Sequence, residues 1–498
     1  MFRRFVCCAV FVSGLVVSCG PSGERDAATG KSPQDETVLT IMAQFYTPGT
    51  RPLGVGKPLE GLRKVADDWE NLHPGVRVQF ALPPTIGAGD GEWIKTQLVG
   101  GIAPDIVSIN VEVVWEDIDK GWWLNLEPYM AEPNPYVPGN KQWWDLFANL
   151  PLTKAKRAPD GNLYTVVLDM VETGIFYNCD LLKQYGMTPP KTWGEMRRQN
   201  EKIREAGKIP LVLFMDNIVD WGVDIVMDMI YADVTPLIDI VKASEEQEQY
   251  LHGYLFPEEV CRLYRKGWFT DRDPRWREVW RILKEWRVDW QRDILEEDRA
   301  GYFLTHRAAF YWEGSWFLAR IQADPLTDFE WNVAYLPPLT PEDSPYATGA
   351  EAAVIGGAAM QFSVSGSAIQ NGRAELAVDF LRFMTTPENT DRVVNEAGQF
   401  IPNIVGTPMQ EGLRPFAEII KRHYCLTKFL YTFDSQFNND HKRWVHYFLE
   451  GGETLDEFMK RLTVYLGQAV DRYARRAGID LSQPYDVPSP WELEEPSP

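Results

Sequence analysis

The sequence predicts an α/β protein whose sheet is mainly parallel, and three observations support this prediction. Short apolar runs alternate with amphipathic segments from residue 38 onward, an order typical of parallel sheets covered by helices. The chain has 498 residues, which is enough for two domains of ordinary size. Hydrophobic residues make up 45% of it and charged residues 24%, which is the composition of a globular protein.

The first part of the chain gives the clearest elements. Residues 38–45 are a short apolar run and predict a buried strand. Apolar residues recur at helical spacing over 59–69, and the residues His-Pro-Gly at 73–75 predict where that helix ends. Alternation over 76–80 predicts a second strand, and the apolar run 106–109 predicts a third.

The same rhythm continues through the rest of the chain. Thr192 with Glu195, and Thr454 with Glu457, have the spacing of a capping box, which predicts a helix after each threonine. Further strands are predicted over 163–167, 174–177, 211–214 and 308–311, and further helices over 181–185, 374–384 and 455–473. A tryptophan-rich stripe at helical spacing is interpreted as core packing; its residues are Trp276, Trp280, Leu283, Trp286 and Trp290.

The N-terminus predicts export and anchoring. Residues 1–18 combine Arg3 and Arg4 with an apolar run too short to cross a bilayer, as in a signal peptide. The following Cys19 resembles the lipidated cysteine of bacterial lipoproteins; an ordinary secretory signal is the alternative. We expect 19–37 to be a lipidated cysteine with a flexible tether and 481–498 to be a disordered acidic, proline-rich tail. The expected location is therefore the cell envelope, outside the cytoplasm and tethered to the membrane.

Charge and motifs exclude several classes of function. With 50 basic and 71 acidic residues the formal net charge is −21, so the chain is not expected to bind nucleic acid, whose phosphates would repel it. The six cysteines are too few for a disulfide scaffold, and the six histidines are scattered, so neither a metal nor a cofactor is expected. The sequence contains no H-E-x-x-H, G-x-S-x-G or P-loop motif, which favours a protein that is not an enzyme.

Five segments, taken in order, resemble one family. The first is 59–80, a predicted helix, His-Pro-Gly and a predicted strand. The second is Ala-Pro-Asp-Ile-Val at 103–107 followed by Gly-Trp-Trp-Leu-Asn-Leu at 121–126, and the third is Ile-Phe-Tyr-Asn-Cys-Asp-Leu-Leu at 175–182 followed by 186–193. The fourth is 303–316, which ends in Gly-Ser-Trp, and the fifth is 377–388 followed by Ile-Pro at 401–402. Together they resemble family 1 of the bacterial extracellular solute-binding proteins, the maltose-binding-protein-like lipoproteins of ABC sugar importers. Cys179 departs from the lysine that is usual in this family, and the segment 233–255 is longer than average.

The resemblance implies a two-lobed, type II periplasmic-binding-protein fold with the ligand cleft between the lobes. Carried over, it assigns 38–152 and 303–350 to lobe 1, and 153–302 and 351–480 to lobe 2. A monomer is expected to bind a sugar or oligosaccharide, close its lobes around it and deliver it to the transmembrane subunits of an ABC permease.

A sugar site combines aromatic rings with side chains that bind hydroxyl groups. The resemblance makes Trp316 the strongest candidate for contact with the ligand, because it occupies the position of the family tryptophan that stacks on sugar. Core packing is the alternative for Trp312, at even odds, and for Trp115. The candidates for ligand binding are Gln44, Tyr46, Glu112, Trp115, Asp169, Glu172, Asp216, Trp221, Trp312, Glu313, Trp316 and Glu351.

Three alternatives stay open at this point. An acidic cleft with tryptophan rings also suits a cationic solute such as a polyamine. Glu112 and Glu313 are a conceivable carboxylate pair for a lipid-anchored glycan hydrolase, the less expected function. The closed form could also serve a sensor instead of a permease.

Overall fold

The computed structural model describes residues 36–493, except 52–53, 55, 83–90, 116, 159, 241–254, 296–297, 353 and 418–433. Its strands, in chain order, are β1 (Thr37–Met42), β2 (Val76–Phe80), β3 (Ile106–Ser108), β4 (Val166–Val167), β5 (Asp169–Asn178), β6 (Ile209–Val212), β7 (Ala308–Gly314), β8 (Trp331–Ala334), β9 (Gly356–Ala358), β10 (Gln361–Val364) and β11 (Ile401–Pro402).

The α-helices cover both sheets. They are Gly61–Leu72, Gly91–Val99, Val111–Trp115, Glu127–Met130, Leu150–Ala155, Cys179–Gln184, Trp193–Glu205, Met215–Asn217, Val223–Tyr231, Thr235–Ile238, Pro257–Arg265, Pro274–Trp286, Ala300–Leu304, Leu318–Ala323, Gly366–Gln370, Ala374–Met384, Pro387–Thr390, Arg414–Ala417, Ser435–Leu449 and Leu455–Ala477. Helices on mixed sheets confirm the predicted α/β class. The prediction of a mainly parallel sheet is wrong, because most strand pairs among the described residues are antiparallel.

The strands form two separate sheets. The first has the order β2-β1-β3-β10-β4, and in it β1 is parallel to β2 and β3 while β10 is antiparallel to β3 and β4. The second has the order β11-β5-β7-β6, with β8 and β9 also pairing with β5. In that sheet β6 and β7 are parallel, and β5 runs antiparallel to β7. Each sheet has its own hydrophobic core, and the fold is therefore two-lobed as predicted.

Local signals explain many of the helices. Helix Gly61–Leu72 buries Leu62, Val65, Ala66 and Trp69, the stripe that its spacing predicts. The Thr192 hydroxyl accepts a hydrogen bond from the Glu195 N–H at 3.2 Å, and Thr454 forms a complete capping box with Glu457. These helix starts are confirmed. The predicted strand 38–45 is shorter, because the chain turns into a 3-10 helix at Gln44–Tyr46.

The tryptophan stripe of helix Pro274–Trp286 lies in the core of the second lobe. Trp276, Trp280 and Trp286 are fully buried and Trp290 is 5% exposed. Neighbouring rings meet edge to face, with Trp276 and Trp280 5.4 Å apart at their centroids. The interpretation of this stripe as core is confirmed.

The predicted division of the chain between the lobes is wrong in its later part. Strand β7, expected in lobe 1, pairs with β5 and β6 in the second sheet. Strand β10 and helix Ala374–Met384, expected in lobe 2, belong to the first sheet and its core. The physical reason is that all of these segments are buried and apolar, so local pattern does not indicate which sheet they join. The helices over 435–477 do lie in the second lobe.

Three segments of chain cross between the lobes. Strands β4 and β5 belong to different sheets and are separated only by Leu168. Strands β9 and β10 are separated by Ala359 and Met360. After β11 the chain stays on the first lobe up to Gln410, whose amide donates to the Asn395 carbonyl, and the third crossing leads from Gln410 to Leu413 in the core around β5 and β7. The first two crossings are hydrogen-bonded to each other, since the Leu168 N–H donates to the Met360 carbonyl at 3.1 Å.

The predicted disordered tail is wrong for residues 481–493. This segment packs on the second lobe, where Val487 is buried and the Trp268 indole N–H donates to the Pro488 carbonyl at 2.8 Å. The Arg272 guanidinium lies 4.1 Å from the centroid of the Trp491 ring. Composition suggested disorder, but a few large side chains within the segment find partners on the lobe. Residues 494–498 lie outside the described part of the chain.

Two features were looked for among the described residues, a membrane-spanning helix and a metal site. Within the described ranges, no helix is long and apolar enough to span a membrane. Over the same ranges, no group of three or more histidine, cysteine, aspartate or glutamate side chains is arranged to hold a metal ion. Residues 1–35 of the predicted signal and tether, which was expected to extend to 37, lie outside the described part of the chain. The tether is one residue shorter than predicted, because Thr37 pairs with Val76 as the first residue of β1.

Candidate functional site

Strand register places the site at the junction of the lobes. In the first sheet β10 begins opposite the end of β3, since Phe362 pairs with Ser108, so the crossings leave from the carboxyl edge of β1 and β3. In the second sheet Gly314 at the end of β7 pairs with Thr173 near the start of β5. The carboxyl ends of both sets of parallel strands therefore meet at the crossings, the edge where open α/β sheets bind ligands.

Trp316 contacts both lobes. It follows β7 of the second lobe, yet its half-buried ring packs against the core cluster of the first lobe. The Gln399 amide donates to the Trp316 carbonyl at 3.4 Å, a second contact across the junction. Gly314 lies directly beneath the ring, and a Cβ there would come within 2.1 Å of it. The sequence therefore needs glycine at 314 for Trp316 to take this position.

Trp221 joins this ring to the core of the second lobe. Its centroid lies 5.9 Å from Trp316 and 6.1 Å from Trp312. Trp312 is 2% exposed and also packs on Trp286, so its ring is core. Trp221 sits in a π-helical turn, Ile218–Gly222, and is half-buried. The structure thus brings together three of the predicted aromatic residues and distinguishes Trp312 as structural.

Glu313 is engaged within its own lobe. Its carboxylate accepts hydrogen bonds from the Tyr311 hydroxyl at 2.7 Å and from the Arg299 guanidinium at 3.1 Å. Burial, followed by the charge of Glu313, raises the pKa of Tyr311 well above its ordinary value. Because the carboxylate is 5% exposed and paired, it stabilises the end of β7 in this arrangement. A ligand-binding role for Glu313 is therefore not favoured.

Tyr46 and Asp169 bind each other. Both are buried, and the Tyr46 hydroxyl donates to an Asp169 carboxylate oxygen at 2.5 Å. The Met360 N–H donates to the other oxygen at 2.9 Å. Burial raises the pKa of Asp169 to about 7, and the two hydrogen bonds oppose that rise. Burial also raises the pKa of Tyr46, and Asp169 adds to the effect. Their polar groups are used in this bond and not directed to a ligand.

The other predicted residues are dispersed. Gln44 is 5% exposed and has a φ of 48°, Trp115 is half-buried, Glu172 is fully buried in β5 and Glu351 is exposed. Glu112 and Asp216 lie in the helices Val111–Trp115 and Met215–Asn217, but their side chains lie outside the described part of the structure. The Glu112–Glu313 pair expected for a hydrolase is therefore untested by distance.

Sequence reasoning missed Gln399, Phe400 and Arg299. Phe400 meets Phe45 edge to face at 5.7 Å and Tyr46 at 6.1 Å, which packs the segment before β11 into the first lobe. Arg299 neutralises Glu313 and lies 4.5 Å from the centroid of the Phe214 ring. No local signal points to these residues, because each acts through partners that are distant in the chain.

Several buried polar atoms near the junction have no hydrogen-bond partner among the described residues. They are Trp115 Nε1, Ser315 Oγ, Gln361 Oε1 and Gln399 Oε1. Each belongs to a segment that follows or begins a strand at the carboxyl edge, or to the segment before β11. An indole N–H donates and amide oxygens accept, so the set offers both kinds of group to a hydroxyl-bearing molecule.

Comparison with known sequences shows similarity to the same family over part of the chain. Residues 56–234 match the family model of the bacterial extracellular solute-binding proteins. The multiple sugar-binding protein of Streptococcus mutans is 24% identical over 152 residues, 30% of this chain and 32% of that protein. The melibiose/raffinose/stachyose-binding protein MelE of Bacillus subtilis is 24% identical over 245 residues, 48% of this chain and 49% of that protein. The matched segments thus span a third to a half of these relatives.

Solved structures have the same fold. The RafE solute-binding protein in complex with raffinose has a TM-score of 0.59 and 17% identity, and the match covers 87% of this chain and 100% of that one. The ligand-free RafE of Streptococcus pneumoniae has a TM-score of 0.61 at 17% identity, with coverages of 89% and 100%. A chitin oligosaccharide-binding protein has a TM-score of 0.61 at 16% identity, with coverages of 88% and 100%.

These relatives are named as binding proteins and none as an enzyme. The five motifs, the two lobes joined by crossing segments and the family match agree with one another. Over residues 56–234 this chain is similar to the bacterial extracellular solute-binding proteins, and its fold is that of the solved sugar-binding proteins named above.

Proposed function

We propose that this protein binds a sugar or oligosaccharide outside the cytoplasm and delivers it to an ABC permease. The observation that carries the proposal is the position of Trp316, a half-buried ring on the second lobe that contacts the core of the first. A ring in that position has its environment changed by any movement of one lobe against the other. Binding and lobe closure are thereby linked.

The chemistry of the junction suits an uncharged polyhydroxy ligand. The rings of Trp316 and Trp221 offer apolar faces of the kind that pack on the C–H face of a sugar ring. Gln399, which contacts the Trp316 backbone, and Gln361 at the start of β10 carry buried amide oxygens without partners among the described residues. Such oxygens accept hydrogen bonds from sugar hydroxyl groups. Named sugar-binding relatives support the same ligand class.

The decisive experiment is thermal unfolding and calorimetric titration of the mature chain with a panel of solutes. The panel contains melibiose, raffinose, stachyose, chitin oligosaccharides, maltose and spermidine. At about 100 times its dissociation constant a ligand adds about 2.7 kcal/mol of stability. Stabilisation by one saccharide that is recovered intact supports the proposal. Stabilisation by spermidine alone replaces it with a cationic ligand, and recovery of a cleaved glycan replaces it with a hydrolase.

The proposal includes a lipid anchor at Cys19. The apolar run before this cysteine and the polar residues after it support that reading. Metabolic labelling of the expressing bacterium with a radioactive fatty acid tests it. Wild-type protein is expected to carry label and to sediment with membranes, and Cys19→Ser is expected to lose both properties. Label retained in Cys19→Ser would contradict the anchor while leaving solute binding untouched.

A further inference from the structure

The bond between Tyr46 and Asp169 has an unusual place in the fold. Tyr46 belongs to the first lobe, where its ring is buried in the core and lies edge to face with Phe400. Asp169 is the first residue of β5 and lies two residues beyond Val167, the end of the first sheet on this strand. The hydrogen bond of 2.5 Å therefore runs from the body of one lobe to a crossing segment.

Asp169 also ties that crossing to the second one and to β11. One carboxylate oxygen accepts the Met360 N–H at 2.9 Å, and the Asp169 carbonyl accepts the Ala359 N–H at 3.1 Å, both on the second crossing. Asp169 pairs with Pro402 of β11. One residue thus contacts two crossings and β11 in addition to Tyr46.

The surroundings make this bond hard to replace. Asp169 is fully buried, and no lysine, arginine or histidine among the described residues lies within ion-pair distance of it. A rotation of the lobes that separates the Tyr46 hydroxyl from the carboxylate would leave two buried polar groups without this hydrogen bond. A buried polar group without a hydrogen-bond partner raises the free energy, so this arrangement of the lobes is favoured over rotated arrangements that lack the bond.

We propose that the Tyr46–Asp169 hydrogen bond is a hinge lock that holds the two lobes in the arrangement seen here. The proposal goes beyond solute binding, because it concerns the balance between lobe arrangements in the absence of any ligand. It assigns Tyr46 and Asp169 a positioning role instead of ligand contact. Loss of the hydroxyl is expected to shift that balance.

The second lobe contains a matched control. The Tyr231 hydroxyl donates to an Asp273 carboxylate oxygen at 2.6 Å, and both residues are fully buried. Both lie within a single lobe, on helix Val223–Tyr231 and at the N-cap of helix Pro274–Trp286. Tyr231→Phe therefore removes the same chemical group as Tyr46→Phe without touching a crossing.

The test is small-angle X-ray scattering of the ligand-free mature chain, with urea unfolding of the same samples. Both tyrosine variants are expected to unfold at lower urea than wild type. Only Tyr46→Phe is expected to change the radius of gyration and the distribution of interatomic distances. Scattering from Tyr46→Phe that superimposes on wild type and on Tyr231→Phe would overturn the hinge lock.

A second variant, Asp169→Asn, tests the proposal independently in case Tyr46→Phe does not fold. The amide of Asp169→Asn has a single acceptor oxygen for the two donors, Tyr46 O–H and Met360 N–H, so the scattering is again expected to differ from wild type. Unchanged scattering from a folded Asp169→Asn would overturn the proposal equally. Neither measurement uses a sugar, so failure of the hinge lock and failure of the proposed sugar binding are observed separately.

Discussion

The interior of the second lobe and the junction between the lobes contain the same two kinds of contact. Each has a tryptophan near the end of β7, Trp312 in the interior and Trp316 at the junction, and both rings lie beside Trp221. Each also has a buried hydrogen bond from a tyrosine to an aspartate. In the interior these groups have partners from one lobe only, whereas at the junction the partners come from both.

The difference shows that location, and not residue type, decides whether such a group has its partners in one lobe or in both. Trp312 is buried in the core of one lobe, where it resists unfolding and is insensitive to lobe movement. Trp316 is half-buried, and the other lobe forms part of its surroundings. A ring or a bond that spans two bodies is remade whenever they move, so its free energy enters the balance between conformations.

The largest expected effect is on stability from Trp312→Ala. Removing a fully packed indole from the core of the second lobe is expected to lower the free energy of unfolding by about 3–5 kcal/mol. Urea unfolding followed by fluorescence or circular dichroism measures it. A loss below about 1 kcal/mol, within the range typical of surface substitutions, would show that Trp312 is not the core residue that its burial indicates.

The second-largest expected effect is a dependence of the free energy of unfolding on pH, caused by the buried carboxyl groups of Asp169 and Asp273. Burial raises the pKa of Asp169 to about 7 and that of Asp273 to about 6. Because the folded state holds these protons more tightly than the unfolded state, stability is greatest at low pH and falls as pH rises through these values. For Asp169 the full shift corresponds to about 4 kcal/mol, at 1.36 kcal/mol for each pKa unit.

Urea unfolding at pH 5 and pH 8 checks this prediction with Asp169→Asn, whose amide resembles the protonated acid. The variant is expected to lack the part of the pH dependence that comes from Asp169, so its stability relative to wild type improves between pH 5 and pH 8. Asp273→Asn should show the same sign and a smaller change. Parallel pH profiles for wild type and both variants would rule out protonated aspartates in the folded protein.

Trp316→Ala is expected to act on binding more than on folding. A large ring at the centre of a binding site commonly contributes 2 kcal/mol or more, so affinity for the saccharide found in the panel should fall by about thirtyfold. Calorimetric titration measures it, with Trp491→Ala as control, since Trp491 is 40% exposed on the outer face of the second lobe. Equal affinities for wild type and Trp316→Ala would remove this residue from the site.

The smallest expected effect comes from one methyl group at Gly314. A Cβ at this position would lie 2.1 Å from the Trp316 ring, so Gly314→Ala must displace the ring. Affinity is expected to fall by about tenfold, or 1.4 kcal/mol, with the fold retained. Gly301→Ala is the control, because its nearest neighbour would be an Asp298 oxygen at 3.4 Å. Similar affinities for the two variants would contradict placement of Trp316 by Gly314.

Much of the fold was predictable because its signals are local. Helical spacing located Gly61–Leu72 and the tryptophan stripe, and capping-box spacing located the starts at Thr192 and Thr454. The assignment of β7 and β10 to lobes was wrong, since buried strands of similar composition fit either sheet. Residues 481–493 were wrongly expected to be disordered, because their packing depends on surfaces formed by distant segments such as Trp268.

The candidate site was predictable in composition but not in arrangement. The motif at 313–316 pointed to Trp316, which the structure places at the junction. The same reasoning chose Tyr46 and Asp169 as ligand contacts, and the structure shows that they bind each other. Their contact joins positions that are 123 residues apart, which no local pattern records.

The sequence by itself determined the class of fold, the positions of most helices and strands and the supply of rings and carboxylates, because periodicity, capping and composition act over a few residues. Only the tertiary structure decided which sheet each late strand joins, which tryptophan is core and which faces both lobes, and that Tyr46 and Asp169 form one bond. The physical reason is that burial and hydrogen-bond pairing depend on contacts made between distant parts of the chain.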